Sequence, residues 1–191
     1  MWRGMIALPR RAALLGLAAG TLSIGLPSVA SASVARALTL RELSRGSSRI
    51  VRGVPQDYYS QWEVTGGRKR IVTYTRVLVT EDLGRTEREK EVLVRTWGGR
   101  LEGIAQLVHG EAALGTEEDC VLFLGKAVAG ARRVTAMAQG HYLVEREGKT
   151  DFRLLRSPQL DTLVDAQDAA VDKLHHRTLG EATRLIRGEL Q

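Results

Sequence analysis

Polar and apolar positions alternate with a period of two through much of the middle of the chain. Over residues 71–80 the alternation is cleanest. Ile71, Thr73, Thr75, Val77 and Val79 share one face there, because successive strand side chains point to opposite sides. That face is expected to point inward. Shorter β-rich runs flank it at 49–54, 62–65, 92–97, 104–108, 120–124, 133–137, 141–146 and 152–155. Gly66-Gly67 and Gly98-Gly99 punctuate these runs as turn signals. The charged stretch 84–91 reads as a solvated loop. About seven strands at regular spacing predict a mainly β fold, a small closed barrel of about five to seven strands or a sandwich.

A helical period replaces the strand period at both ends of this body. Thr39-Leu-Arg-Glu42 and Thr178-Leu-Gly-Glu181 are capping boxes, in which the hydroxyl and the carboxylate each satisfy the other residue's backbone N–H. Gly46 is placed to end the first helix. Leu179, Ala182, Leu185 and Ile186 form one stripe, so 179–189 is expected to be an amphipathic helix packed on the barrel. Segment 149–177 leaves two readings open. Leu160, Leu163, Val164, Val171 and Leu174 fit one helical face, but Asp161, Asp165, Asp168 and Asp172 are poor helix formers. It is either a helix with an acidic outer face or an ordered loop with helical turns.

The first 32 residues follow neither pattern. Arg3, Arg10 and Arg11 precede an apolar stretch, 12–26, and Ala30-Ser31-Ala32 supplies an A-x-A cleavage pattern. The apolar stretch is shorter than the roughly 20 residues of a membrane-spanning helix. A signal peptide over 1–32 is expected, with an uncut N-terminal anchor as the alternative. The protein is thus expected to be secreted or periplasmic, with no stable membrane span after cleavage. The layout that follows is a lead-in with a short helix at 33–48, a barrel domain at 49–155 and a C-terminal extension at 156–191.

Charge sharpens this picture. The 191 residues carry a net charge of +6, and the three arginines of the leader account for half of it. The +3 that remains is too mild for a nucleic-acid surface, although Arg68-Lys69-Arg70, Arg76, Arg132-Arg133, Tyr58, Tyr59 and Trp62 could line a basic aromatic groove. No nucleic-acid partner is expected. Arg outnumbers Lys 23 to 5 and Asn is absent, a skew that resembles bacterial coding of high GC content. The single cysteine, Cys120, excludes an internal disulfide framework and reads as a small buried hydrophobe.

Candidate chemistry is sparse. Asp172 and His176 would share a helical face, but two or three groups fall short of a zinc site. His109 and His141 fit no known spacing, Ser47 and Ser48 belong to a helix–strand junction, and no nucleophile elbow, zincin or phosphate-loop motif is present. No catalytic residue, metal or cofactor is expected. The most distinctive run is 94–112, where Trp97-Gly98-Gly99 and Gly103 sit between strands; Gln139-Gly140 is a second such junction. Glycine there permits tight corners. If the protein binds a partner, Trp97, Gly98, Gly99, Gly103, Gln139 and Gly140 are its expected contact edge.

Residues 49–124 resemble the netrin-like, tissue-inhibitor-of-metalloproteinase type of oligonucleotide-binding (OB) barrel. The likeness lies in Ile50-Val-Arg-Gly-Val54, Ile71-Val-Thr-Tyr-Thr-Arg-Val-Leu-Val79, Val92-Leu-Val-Arg-Thr96 and Val121-Leu-Phe-Leu124, in that order. The same stretch, with its Gly-Gly, Gly-Glu-Ala, Phe-Leu and Met-Ala-Gln-Gly signals, resembles uncharacterised exported proteins of bacterial genomes. The resemblance implies the barrel fold, and function has to be argued from a site rather than from a fold. The inhibitors present an N-terminal cysteine amine to zinc, and this chain lacks that device. The expected function is therefore an exported non-catalytic protein-binding module whose partner is an exported protease or an envelope protein. An inhibitor or accessory of a co-exported protease is one alternative, and a hydrolase or polyanion-binding protein is another.

Overall fold

The computed structural model describes residues 35–84, 87, 89–148, 151–160 and 162–191; the expected leader lies outside the described residues. Two long strands organise the body. β2 (Arg49–Thr65) and β3 (Arg68–Asp82) form a hairpin closed at Gly66-Gly67, both left-handed at φ 57° and 74°. That conformation is what a two-residue hairpin turn requires and what glycine adopts without strain. The chain before it holds β1 (Ala35–Arg36) and α1 (Leu40–Gly46). After it come β4 (Glu91–Trp97), the small hairpin β5 (Gly99–Leu101) and β6 (Ile104–Gln106), then β7 (Cys120–Leu124) and β8 (Ala131–Arg132). A single 3-10 turn (Met137–Gly140) leads into β9 (His141–Glu147) and β10 (Asp151–Arg156). β11 (Leu163–Val164), α2 (Ala170–Leu174) and α3 (Leu179–Leu190) complete the order.

Seven strands make one sheet in the order β10-β9-β7-β2-β3-β4-β8, antiparallel except for β4–β8. The fold is mainly β, but the sheet stays open, which corrects the expected closed barrel. The reason lies after β8. A strand was expected over 133–137, yet Ala136 and Met137 both take left-handed φ, 55° and 57°, and the chain turns away. What remains between the far edge and β7 is one bridge, Leu124 to Val134, with flanking bonds Gly125 N–H to Arg133 O and Thr135 N–H to Phe123 O. The sheet is rolled and left unclosed.

Both faces of the central strands are buried. β7 sends Val121 and Phe123 one way and Cys120, Leu122 and Leu124 the other, which explains its unbroken apolar run. On the first side Ile50, Tyr142 and Leu154 meet Leu40 and Leu43 of α1, Val171 and Leu174 of α2, and Ala182 and Ile186 of α3. On the second side Val51, Val77, Val79, Val92 and Val94 pack with Ala112 and Val134. The expected inward face of β3 therefore points inward: Ile71, Thr75, Val77 and Val79 are buried and Thr73 is half-buried.

Both capping boxes form as read, at Thr39–Glu42 and Thr178–Glu181. Arg41 of α1 pairs with Glu189 of α3, and the Arg45 guanidinium donates to the Glu189 carbonyl. α1, α2 and α3 thus share one core with the strands. Within segment 149–177 the described residues form strand β10, the short β11 and one short helix, α2; no continuous helix runs through them, and Asp165, Asp168 and His176 all take positive φ. Among the described residues no helix is long and apolar enough to cross a membrane.

Candidate functional site

The distal half of the β2–β3 hairpin extends beyond the apolar core. Two register slips mark the departure, at Thr80 on β3 and at Gln56 on β2, next to Pro55, which has no N–H to give the ladder. Beyond them the inward face turns from valine to hydroxyl: Tyr58 and Ser60 on β2, Thr73 and Thr75 on β3, Thr96 on β4.

Gly98 and Gly99 fold the chain back over this face. The Gly98 N–H donates to Ile71 O at 2.9 Å, and its carbonyl accepts from the Thr73 hydroxyl at 2.7 Å. A Cβ on Gly98 would lie 2.5 Å from Gln106 O, and one on Gly99 would lie 2.2 Å from Thr73 Oγ1. Both positions have φ in the left-handed range, +88° and +127°. Only glycine admits that path. The β5–β6 hairpin turns at Glu102-Gly103, where the Glu102 carboxylate accepts from Trp62 Nε1. Gln106 Oε1 accepts from Ile71 N–H and fixes its other end.

A cleft of about 270 Å³ results. The buried Thr75 and Thr96 form its floor, and Leu107, Val108, Leu114, Trp97, Gly98 and Gly99 are among the residues that line the rest. Glu111, 7 % exposed, is its only buried carboxylate among the lining residues. Its two oxygens accept from Trp97 N–H and Ala112 N–H, each at 3.2 Å. Burial pushes its pKa above the ordinary value; the two N–H groups, Arg133 and Arg95 pull partly the other way.

The Trp97 ring faces the opposite side of the sheet. Arg95, Arg133 and Arg70 lie 4.1, 4.9 and 5.7 Å from its centre, inside cation–π range. Arg95 is committed to Glu63 at 2.7 Å and holds that carboxyl down to about 2. Tyr74 donates to the same carboxylate and stacks on Tyr59.

The structure brings Trp97, Gly98 and Gly99 together at the cleft and puts Gly103 at the tip of the hairpin beside it. Gln139 and Gly140 lie elsewhere and are buried. The Gln139 amide accepts from Leu38 N–H and donates to Arg36 O, clamping the lead-in segment. A Cβ on Gly140 would lie 2.2 Å from Thr135 O. Both serve the fold.

Other reactive side chains are spread out. His141 Nδ1 and Ser157 Oγ are 3.1 Å apart, but the two residues are 1 % and 2 % exposed, out of reach of any substrate. Burial pulls the His141 pKa down to about 4. Cys120 is buried, donates to Gly53 O, and its thiol is pushed strongly up by desolvation. α2 ends at Leu174, so Asp172 and His176 do not share a helical turn. Among the described residues no three His, Cys, Asp or Glu side chains gather as metal ligands would.

Glu111 escaped the sequence reading. The available signal was a lone acid inside the otherwise small and apolar stretch 110–115. Compared with known proteins, the chain matches no family model, no curated protein and no solved structure.

Proposed function

We propose that this protein is an exported, non-catalytic protein-binding module that takes its partner at the Trp97 edge and its cleft. One observation carries the reading: the outer edge of β2 from Gln56 to Thr65 has no strand partner among the described residues, and it borders the cleft. β7 covers β2 only from Arg49 to Gly53. A free strand edge offers main-chain donors and acceptors to an added strand, and adjacent pockets select its side chains. Tyr58, Tyr59 and Val64 are exposed along that edge at 63, 53 and 75 %. An exported protease or an envelope protein is the partner proposed, without the cysteine wedge of the inhibitors.

The test is affinity capture of partners from culture fluid or envelope by the tagged protein, with Tyr58→Ala, on the free β2 edge and in the cleft lining, and Trp97→Ala as the variants. Capture should fall at least about tenfold, the effect of truncating an interface anchor, with the melting temperature little changed. Equal capture by both variants refutes the edge, and loss of folding with Trp97→Ala assigns Trp97 to packing.

A further inference from the structure

The chemistry of the cleft defines what it can hold. Its volume, about 270 Å³, falls just below the ~300–1,000 Å³ of small-molecule pockets. It has room for one long side chain. Leu107, Val108, Ala113 and Leu114 give it an apolar part of its lining. Its floor offers acceptors.

Thr75 is 2 % exposed and Thr96 is 6 % exposed. Among the described residues neither side-chain hydroxyl has a hydrogen-bond partner, yet neither is sealed off from the cleft. Glu111 is the third group. Each of its oxygens receives one backbone N–H, and a carboxylate has about four acceptor sites, so half its capacity is unused. Arg95 and Arg133 are near enough to act on it through space, but neither hydrogen-bonds to it; both lie against the Trp97 ring. A buried carboxylate without a cation is costly, and a partner that supplies one relieves the cost.

We infer that the cleft is a receptor for a primary ammonium group, delivered as a lysine side chain of the partner protein. The proposal rests on the binding reading above. An ammonium has three donors and no acceptor, and the lining holds three buried groups with acceptor capacity to spare, Glu111, Thr75 and Thr96. A lysine pairs such a charged head with a four-carbon stem suited to an apolar lining. Arg100 also lines the cleft, but it is exposed; at the buried end an anion would meet Glu111, and an apolar side chain would leave the buried acceptors unmet.

The experiment is a titration of the ¹⁵N-labelled protein with Nα-acetyl-lysine methylamide, followed at the backbone amides of Trp97 and Ala112. Nα-acetyl-norleucine methylamide, Nα-acetyl-arginine methylamide and butylamine are the comparison probes. The lysine amide should shift both signals saturably and the norleucine amide should not. Glu111→Gln should weaken lysine binding at least about tenfold, as loss of a hydrogen bond to a charged group does. Thr75→Val, which keeps shape and deletes one acceptor, should weaken it by a smaller factor. Spectral dispersion reports folding in each variant. If Glu111→Gln fails to fold, Thr75→Val decides. Absent shifts, equal response to norleucine, tighter binding of the arginine probe, or unchanged binding in both variants would overturn the assignment.

A second arm separates the two readings. Capture should fall when the partner's lysines are acetylated. Capture that is lost with Trp97→Ala but indifferent to lysine acetylation and to Glu111→Gln leaves the binding module standing and overturns the lysine. Binding of butylamine as tight as that of the lysine amide, together with such indifference, reassigns the cleft to a free amine and overturns the protein source. If no partner is captured at all, the module fails while the titration still decides the cleft.

Discussion

At the residue scale, two buried positions make measurable demands. His141 is held neutral by burial, with its pKa at about 4 against an ordinary 6.5. A histidine whose folded pKa is lowered contributes stability that is present above pH 6.5 and is lost as pH falls toward 4, because the unfolded chain takes up the proton first. The full effect is about 3 kcal/mol. Urea unfolding at pH 7.5 and at pH 5 should show wild type losing more stability than His141→Gln, which can keep the bond to Ser157. Equal losses would show that His141 does not drive the change. Gly99 makes the second demand. Gly99→Ala places a methyl group against Thr73 Oγ1 at φ +127°, and should cost about 1–3 kcal/mol, read as a lowered melting temperature. Both demands were hard to see beforehand. His141 sits in a run that looks like any half-buried strand, and its burial comes from β7 alongside. Gly98-Gly99 was legible as a corner, but the hydroxyls it approaches belong to β2 and β3, far off in sequence.

At the scale of elements, local signals were reliable wherever local chemistry decides the outcome. The two capping boxes form as read because each closes within four residues. Thr178→Ala should destabilise the protein by about 1 kcal/mol, the usual effect of deleting an N-cap, and Thr178→Ser should restore it in thermal unfolding. Non-local decisions were less visible. β2 runs unbroken from Arg49 to Thr65 and joins the runs read at 49–54 and 62–65, because a one-residue bulge at Gln56 accommodates Pro55, which has no N–H. The 133–137 segment has strand composition, but left-handed φ at Ala136 and Met137 stops it. That one turn separates an open sheet from a closed one. β5 was missed because three residues carry no period.

For the molecule as a whole, the cleft was half legible. Its rim, Trp97-Gly98-Gly99, stood out as a motif. Its floor did not, because Thr75 and Thr96 look like ordinary strand threonines until pairing aligns their faces. The placement of α3 also belongs to this scale. Ala182 and Ile186 cover the same core that Leu40 and Leu43 enter from α1. A chain ended at Arg177 should therefore lose cooperative unfolding and bind a hydrophobic dye, whereas an independent extension would leave the melting curve intact.

The contact between α1 and α3 also sets a clock on manufacture. Arg41 and Glu189 lie 148 residues apart along the chain. At the ~5–20 residues per second of synthesis, α1 waits about 7–30 s for its cover. Through that interval Leu40 and Leu43 have no lid, so whatever escorts the nascent chain meets this helix uncontested.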